Sequence, residues 1–378
     1  MPIPVVWSPE TRRHEPMREV WVGVPTEGTE VPERVDRILA ALAAHDLVEA
    51  TAYDDDLLLR VHDPALVEHL RTVHAAWMAG PYDALVGQDR VVPYVFPTPA
   101  MTQGMPVTRA AATHGRAGQF GYDTMTPVGP GTWEAARAAV DCALTAVDLV
   151  SRSRWSSETP RWSSGVETTA AYETTAAYET TAAYALCRPP GHHVTRAGYG
   201  GSCYLNSAAV AAEALRAAGH ETVAVVDLDA HHGNGTQAVF WERGDVRYGS
   251  LHVDPAAGWF PHYVGHAHET GAGAGAGATR NLPLPEGTPD GPWLEAVQEL
   301  AAFADGADAL VVSLGVDAAA DDPESPLQVT ADGYAAAGRL LGSLGLPTVV
   351  VQEGGYHLDT LGGLVAAYLD GHEHPAAR

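Results

Sequence analysis

Short apolar runs recur along the second half of the chain and predict β-strands. Each is four to six residues long, and most are rich in the β-branched or aromatic side chains that favour strands. Between several of them lie alanine-rich stretches with apolar residues at helical spacing, such as Ser207–Ala218 and Ala331–Leu344. The predicted strands are Tyr184–Cys187, Val223–Val226, Val246–Leu251, Leu310–Leu314 and Thr348–Val351. Strands that alternate with helices predict an α/β fold, with a mostly parallel central sheet and helices on both faces.

Polar segments follow these strands in one consistent place. In an open α/β sheet, ligands bind in the crevice outside the carboxyl ends of the strands. The segments that come shortly after a predicted strand are Arg188–His193, Asp227–Gln237, His252–Pro255, Asp317 and Gly354–Tyr356. Because parallel strands end at the same edge of a sheet, these segments predict a single site there.

The first half of the chain, to about Val150, has the pattern of helices and loops. Within it, Val91–Thr108 is rich in proline and methionine and indicates a long surface loop. Two later segments are low in complexity: Glu-Thr-Thr-Ala-Ala-Tyr occurs three times from Glu167 to Tyr184, and Gly271–Ala278 alternates glycine with alanine. A six-residue period fits neither a helical face nor a stacking repeat. We interpret the first two copies as a duplication that lengthens a surface connection.

Composition and charge exclude several classes of function. The 378 residues have a net charge of −25, and all 22 basic residues are arginine. Without lysine there is no Schiff base to pyridoxal phosphate and no phosphate-binding lysine, and the acidity disfavours nucleic acid as a partner. The sequence has no apolar run of about eighteen residues to span a membrane, no secretory signal and no disulfide framework among its three cysteines. We therefore expect a soluble cytoplasmic protein.

The segment after the second predicted strand is the most informative for chemistry. Asp229 and His231 are two residues apart just past that strand, so they can present an oxygen and a nitrogen to one metal ion. Asp317, after another strand, can supply a third ligand. Two carboxylates and one imidazole suit zinc or ferrous iron, and three protein ligands leave a position open for catalysis. The pattern predicts a catalytic metal site.

Two further segments carry groups suited to proton transfer and hydrogen bonding. His192 and His193 follow the stiff segment Pro189-Pro190-Gly191, and histidine is the natural general acid–base near neutral pH. Paired histidines are also possible metal ligands. Tyr356 follows two glycines that permit close approach, so its phenol can donate a hydrogen bond to a developing oxyanion.

These motifs, taken in order, resemble those of the histone deacetylase superfamily, from about residue 5 to 370. They are Arg188–His193, Gly201–Asn206, Asp227–Gln237, Ser250–His252, Gly315–Asp317 with Asp322-Pro323, and Glu353–Tyr356. Pro130–Ala135 and Glu269–Gly271, with the glycine–alanine segment, resemble the acetylpolyamine amidohydrolase branch of class II-like bacterial deacetylases. The resemblance implies the arginase/deacetylase-like fold. It also implies one deacetylase domain over residues 1–378, with an extended loop at about 91–122 and a low-complexity insertion at about 151–183.

The resemblance also implies a role for each residue of the motifs. Asp229, His231 and Asp317 would bind one Zn²⁺ per chain. His193 would be the general base that activates the attacking water and then protonates the leaving amine. Tyr356 would polarise the scissile carbonyl.

Other residues would support that chemistry. His192, with Asp227 beside it, would assist electrostatically, and Asn234 would orient His193. A structural potassium ion is implied at the backbone around Asp227, Asp229 and His231, with Ser250 and Leu251. The related arginases use two manganese ions and need further carboxylates near positions 233 and 315. Both positions are glycine here, so one metal is expected.

The sequence departs from the polyamine branch at two positions of the expected substrate channel. Ala117 precedes Gly118-Gln119 where that branch has an acidic residue, and Ser202 stands where an aromatic ring usually lines the wall. Loss of that ring predicts a wider channel, whose opposite wall would be Trp259 or Phe260. The expected substrate-binding residues are Ala117, Gly201, Ser202, Trp259 and Phe260.

The leading hypothesis is therefore a zinc-dependent amidohydrolase that removes an acyl group, expected to be acetyl, from a small-molecule amine. One alternative is a protein acetyl-lysine deacetylase, although a loop at Val91–Thr108 that covers the entrance would exclude folded proteins. Another is a catalytically silent protein that binds acylated ligands. The same loop corresponds to an insertion that packs between subunits in the polyamine branch, which predicts a homodimer.

Overall fold

The computed structural model describes residues 2–82, 87–151 and 180–375. Its strands are β1 (Val5–Trp7), β2 (Arg18–Trp21), β3 (Val24–Glu27), β4 (Leu47–Glu49), β5 (Ala182–Ala185), β6 (Val223–Asp227), β7 (Val246–Val253), β8 (Thr279–Leu284), β9 (Ala309–Leu314) and β10 (Thr348–Gln352). Its α-helices are α1 (Glu33–Ala41), α2 (Asp56–Val61), α3 (Pro64–Met78), α4 (Pro99–Thr102), α5 (Thr113–Phe120), α6 (Thr132–Ser151), α7 (Ser207–Ala217), α8 (Asn234–Phe240), α9 (Asp290–Ala304), α10 (Ala331–Gly342) and α11 (Leu358–Glu373). Short 3-10 helices lie at Pro9–Arg13, Pro255–Ala257 and Gly273–Gly275.

Eight strands form one parallel sheet in the order β4-β1-β5-β10-β9-β6-β7-β8. The predicted α/β fold with a mostly parallel sheet is confirmed. The expectation of only helices and loops before Val150 is wrong, because β1 and β4 extend one edge of the sheet and β2 and β3 form an antiparallel hairpin. These strands are three or four residues long, too short for alternation of apolar and polar residues to stand out.

Each sheet face is covered by its own layer of helices. In β9, Ala309 and Val311 face one apolar cluster, whereas Leu310 and Val312 face the other, as the alternation of side chains along a strand requires. Helices α3, α6 and α7 pack into the first cluster, and α1, α9, α10 and α11 pack into the second. Burial on both faces explains why the strands read as continuous apolar runs.

The low-complexity insertion ends inside the sheet. Strand β5 begins at Ala182, two residues before its predicted start, and Ala182 pairs with Thr348 of β10. Four buried, mostly small side chains make this strand, so composition alone did not separate it from the repeat. Residues 152–179, which carry the rest of the predicted insertion, lie outside the described residues.

The predicted loop at 91–122 is partly helical, since it contains α4 and α5. Thr98 caps α4 by accepting a hydrogen bond from the Met101 backbone. The Gln119 side chain ties α5 to the preceding chain through the Ala110 amide and the Thr108 carbonyl. Among the helices of the described residues, none combines the length and apolarity needed to cross a membrane.

Candidate metal and catalytic site

The carboxyl ends of β6 and β9 bring the three predicted metal ligands together. One ligand atom from each of Asp229, His231 and Asp317 lies within 4.8 Å of the others. Nδ1 of His231 is 2.9 Å from Asp317 Oδ2 and 3.2 Å from Asp229 Oδ1. The backbone amides of Gly354 and Ala230 donate to Asp229 and Asp317, each at 2.8 Å. These backbone donors fix the orientation of both carboxylates.

The electrostatics of this cluster fit a cation. Burial and the charge of Asp229 raise the pKa of Asp317 to about 8. Burial opposes the charged form of His231, but hydrogen bonds to Asp229 and Asp317 raise its pKa well above the ordinary value. Two buried carboxylates with one imidazole therefore favour positive charge between them. That donor set fits zinc or ferrous iron.

Two glycines leave no room for the further carboxylates that a second metal would need. A Cβ on Gly315 would lie 2.1 Å from Asp229 Oδ2. A Cβ on Gly233 would lie 2.3 Å from Asp227 Oδ2 and 2.6 Å from the Tyr248 hydroxyl. Any side chain at either position would displace a residue of the site, so the geometry favours one metal.

The adjacent histidines His192 and His193 have opposite electrostatic surroundings. Burial opposes a charge on His192, but Asp229 and Asp227 raise its pKa to about 10, and Asp227 Oδ2 lies 3.1 Å from its Nδ1. Burial and the positive charges of His192 and His231 hold the pKa of His193 well below the ordinary value. These surroundings favour the charged form of His192 and the neutral form of His193.

A carboxylate and an amide hold this histidine segment in place. Glu353 accepts hydrogen bonds from the amides of Gly191, at 2.7 Å, and His192, at 3.1 Å. Oδ1 of Asn234 is 2.7 Å from Nδ1 of His193. Glu353 directly precedes the glycines of the tyrosine segment, so its side chain links the histidine segment to the tyrosine segment.

The tyrosine segment is positioned by Arg34 and Asp322. Gly355 has a φ of 121°, which favours glycine, and Asp322 accepts the Tyr356 amide at 2.7 Å. The buried Arg34 guanidinium donates to the backbone carbonyls of Glu353 and Gly355 and lies 4.8 Å from the centre of the Tyr356 ring. Burial raises the pKa of Tyr356 well above the ordinary value, so its hydroxyl remains a hydrogen-bond donor.

The predicted channel residues occupy different environments. The Phe260 ring meets the His193 ring edge to face, with centroids 4.8 Å apart, whereas Trp259 donates to Glu286 at 3.1 Å. Gly201 lies beside both rings, since a Cβ there would be 2.4 Å from His193 Cδ2 and 2.8 Å from Phe260 Cε1. Ser202 is the next residue and is half-buried. Its backbone amide donates a hydrogen bond to the Thr126 hydroxyl.

Ala117 is not at a solvent-open entrance. It lies in α5 and is fully buried in the first apolar cluster. The neighbouring Gly118 is pressed so close to Val95 that a Cβ would lie 1.7 Å from its carbonyl oxygen. Position 117 is therefore not exposed to solvent, because α5 turns that side chain inward, and its place in the channel stays a prediction.

The residues of the expected potassium site are adjacent along β6 and β7. Asp227 and Ser250 are register partners in the parallel pair, and the Asp229 amide donates to Asp227 Oδ1 at 3.2 Å. The Ser250 hydroxyl is 2.8 Å from His252 Nδ1. The potassium ion itself stays a prediction.

Arg34, Glu353 and Tyr122 contact the site although the sequence indicated no role for them. The sequence carried one indication for Arg34. It is a charged residue next to Val35 and Ile38, the apolar positions of an amphipathic helix, and Glu30 precedes it by four residues as a possible ion-pair partner. Glu353 lay within a motif without an assigned function. Tyr122 had no signal of its own, because its approach to His193 depends on tertiary packing.

Known proteins resemble this chain along nearly its whole length. The family described as the histone deacetylase domain matches residues 28–371. Acetylpolyamine amidohydrolase of Mycoplana ramosa is 36% identical over 374 residues, which cover 97% of this chain and 98% of the relative. The enzyme of that name from Burkholderia pseudomallei is 39% identical over 361 residues, or 94% of each protein. The crystal structure of acetylpolyamine aminohydrolase from Burkholderia pseudomallei has a TM-score of 0.84, with 37% identity and 98% of both chains covered. With its parallel sheet, its motifs and these relatives, the chain belongs to the histone deacetylase family.

Proposed function

We propose that the protein is a zinc-dependent deacetylase that hydrolyses the N-acetyl amide of a small-molecule amine and releases the amine and acetate. The observation that carries the proposal is the pair of adjacent histidines beside the three converging ligands. A neutral His193 and a charged His192 on consecutive residues are suited to base catalysis next to a stabilising cation. The polyamine-deacetylating relatives support an acetylated small amine as substrate.

Asp229, His231 and Asp317 would hold the zinc ion. When bound, zinc acts as a Lewis acid toward the carbonyl and lowers the pKa of water toward about 7. The remaining chemistry belongs to the side chains. His193 takes a proton from the attacking water and passes it to the leaving nitrogen, so the amide becomes a free amine and a carboxylic acid.

Two other groups stabilise the charge that develops during attack. The Tyr356 hydroxyl donates a hydrogen bond to the carbonyl oxygen as it becomes negative. His192, paired with Asp227 at 3.1 Å, places a positive charge beside the reacting centre. Because Asn234 engages Nδ1 of His193, the other ring nitrogen of His193 is the one available for proton transfer.

A substrate screen with metal analysis tests this proposal. Purified protein is assayed with N-acetylputrescine, N-acetylspermidine, an acetyl-lysine peptide and a longer-chain N-acyl amine, and free amine is quantified. We expect turnover of acetylated small amines, loss of activity with a chelator, recovery with zinc, and about one divalent ion per chain by elemental analysis.

Other outcomes would select the alternatives. Preference for the acetyl-lysine peptide would favour a protein deacetylase. Tight binding of acylated ligands with retained zinc and no turnover of any substrate would favour a silent binding protein. Two essential manganese ions would contradict the one-metal proposal. Light scattering at micromolar concentration tests the proposed homodimer, and a fully active monomer would rule it out.

A further inference from the structure

We propose that Tyr122 supplies the aromatic wall that Ser202 lacks and also positions the base His193 through its hydroxyl. This inference rests on the proposed function, since it concerns the channel of that same site. The substrate feature that this channel recognises is the linear apolar chain between the acetamide and the far end of the amine.

The ring of Tyr122 belongs to a small aromatic group beside the base. It lies nearly parallel to the Phe260 ring, with centroids 6.4 Å apart and planes at 11°. Phe260 in turn meets His193 edge to face at 4.8 Å. Tyr122 is 36% exposed and His193 only 4%. The two rings therefore stand between solvent and the buried base, where a substrate chain must pass.

The turn that carries Ser202 is packed against these rings. A Cβ on Gly200 would lie 2.2 Å from the Tyr122 ring, and a Cβ on Gly201 would lie 2.8 Å from Phe260. Ser202 itself has a φ of 58° and contributes only a short hydroxyl side chain. Tyr122 thus occupies space next to the position from which a larger residue at 202 would project.

Backbone contacts fix Tyr122 relative to that turn. Its amide donates to the Tyr199 carbonyl at 3.1 Å. The next residue, Asp123, accepts the Gly201 amide at 2.6 Å and the Thr126 amide at 3.0 Å. The segment with Tyr122 and the turn with Ser202 therefore form one unit, and a ring from either can line the same channel.

The hydroxyl of Tyr122 has a separate task. It donates to the His193 carbonyl at 2.8 Å, and the same carbonyl accepts from Asn234 Nδ2 at 3.5 Å. Asn234 holds Nδ1 of His193 at 2.7 Å. The hydroxyl therefore fixes the backbone of the base at the carbonyl that it shares with Asn234, the residue that orients its ring. Tyr122 touches the base without taking part in the reaction, so it is a positioning residue.

The two tasks separate experimentally. Removing only the hydroxyl with Tyr122→Phe should lower kcat several-fold and leave KM near its original value. Tyr122→Ala should also raise KM by about tenfold for long-chain substrates, because their methylene groups lose apolar contact with the ring. The readout is kcat and KM for N-acetyl n-alkylamines of increasing length. Tyr263→Ala, which removes an 87% exposed ring from the neighbouring segment, is the matched control.

A rescue experiment decides whether Tyr122 stands in for the ring missing at 202. Ser202→Tyr in the Tyr122→Ala background should restore the dependence of KM on chain length. The same change in the otherwise unmodified protein should bring no gain, because Tyr122 already fills the space. Affinity for linear alkyl hydroxamates, which chelate zinc, is measured by calorimetry on the zinc-loaded variants. Thermal unfolding checks that each variant is folded.

The outcomes distinguish this inference from the proposed function. If unmodified protein turns over no acetylated amine, the proposed function fails, and the hydroxamate affinities still test the ring. Unchanged chain-length dependence of KM and of hydroxamate affinity in folded Tyr122→Ala would overturn the inference. It would also be overturned if Ser202→Tyr tightened binding in the unmodified protein and failed to rescue Tyr122→Ala.

Discussion

The floor of the site and its entrance are built in different ways. The floor comes from the ends of β5, β6, β9 and β10, and its ionisable groups Asp229, Asp317 and His192 are buried and held by backbone amides or by one another. The proposed entrance comes from loops, and its main groups are the rings of Tyr122 and Phe260 near the boundary with solvent.

In the proposed function, the floor determines the reaction and the entrance determines the substrate. Buried charges interact strongly and tolerate little displacement, so changes in the floor should alter rate by orders of magnitude. Aromatic walls contribute through contact area, which changes gradually.

The largest effects are expected at the metal ligands and the base. Asp229→Ala should abolish both metal binding and turnover, because it removes one of three ligands. His193→Ala should lower kcat by about 10²–10⁴ with the metal retained, the range for losing a general base. Activity and zinc content are measured together, with the exposed His374→Ala as control. Release of the metal by His193→Ala would reverse the assignment of base and ligand.

Tyr356→Phe should lower kcat by about 10²–10³, the range for losing one oxyanion donor. KM should change little, because the hydrogen bond strengthens as charge develops on the carbonyl. Tyr368→Phe is a suitable control, since it removes a buried hydroxyl that packs in α11 away from the ligands. Equal rates for the two variants would mean that Tyr356 does not contact the reacting carbonyl.

Arg34→Met should lower kcat by about 10–10², because the segment carrying Tyr356 loses its two carbonyl contacts and the cation over its ring. Stability should fall by about 3 kcal/mol or more, since Glu30 loses one of its two buried arginine partners. Arg37→Met, the same substitution on the exposed side of α1, provides the comparison. Matching kinetics in the two variants would contradict a positioning role for Arg34.

The floor was predictable from the sequence because its geometry follows from the topology. Once parallel strands are inferred, residues just after them must converge, and Asp229, His231 and Asp317 do so within 4.8 Å. The placement of Asn234 beside His193, 41 residues away along the chain, was indicated by the family resemblance and not by a local pattern. The sheet topology also explains why Glu353, directly after β10, lies at the site. Only the structure shows which backbone amides donate hydrogen bonds to its carboxylate.

The entrance was not predictable in the same way. Its residues come from segments far apart in the chain, and their directions depend on packing. Ala117 aligned with an acidic channel residue, yet α5 buries it. Ser202 indicated a missing ring, whereas Tyr122, eighty residues earlier, lies next to that turn. No periodicity links such positions.

A smaller effect concerns pH. His193 must be neutral to accept a proton, so kcat/KM should fall as pH drops through its pKa. Burial and the charges of His192 and His231 lower that pKa, and a bound divalent cation would lower it further. The acid limb of the pH profile should therefore lie below pH 6.5, the ordinary histidine value. An acid limb above pH 7 would contradict a neutral, cation-surrounded base.

The smallest effect on selectivity is expected from Ala117→Glu, although alignment with the polyamine branch suggests the opposite. A carboxylate at an open entrance would attract a cationic acetylpolyamine. At this buried position it instead enters an apolar cluster, where burial of a charge is costly. The ratio of kcat/KM for N-acetylspermidine to that for an uncharged N-acetyl alkylamine should therefore change by no more than about twofold from the unmodified protein, because the new carboxylate does not reach the substrate.

The free energy of unfolding of Ala117→Glu should fall by about 3 kcal/mol from overpacking and desolvation, measured by chemical unfolding. Ala111→Glu places the same side chain on an exposed residue of the same segment and should leave stability nearly unchanged. A tenfold or greater gain in preference for the cation with Ala117→Glu alone would show that position 117 reaches the entrance and that α5 belongs to the substrate channel.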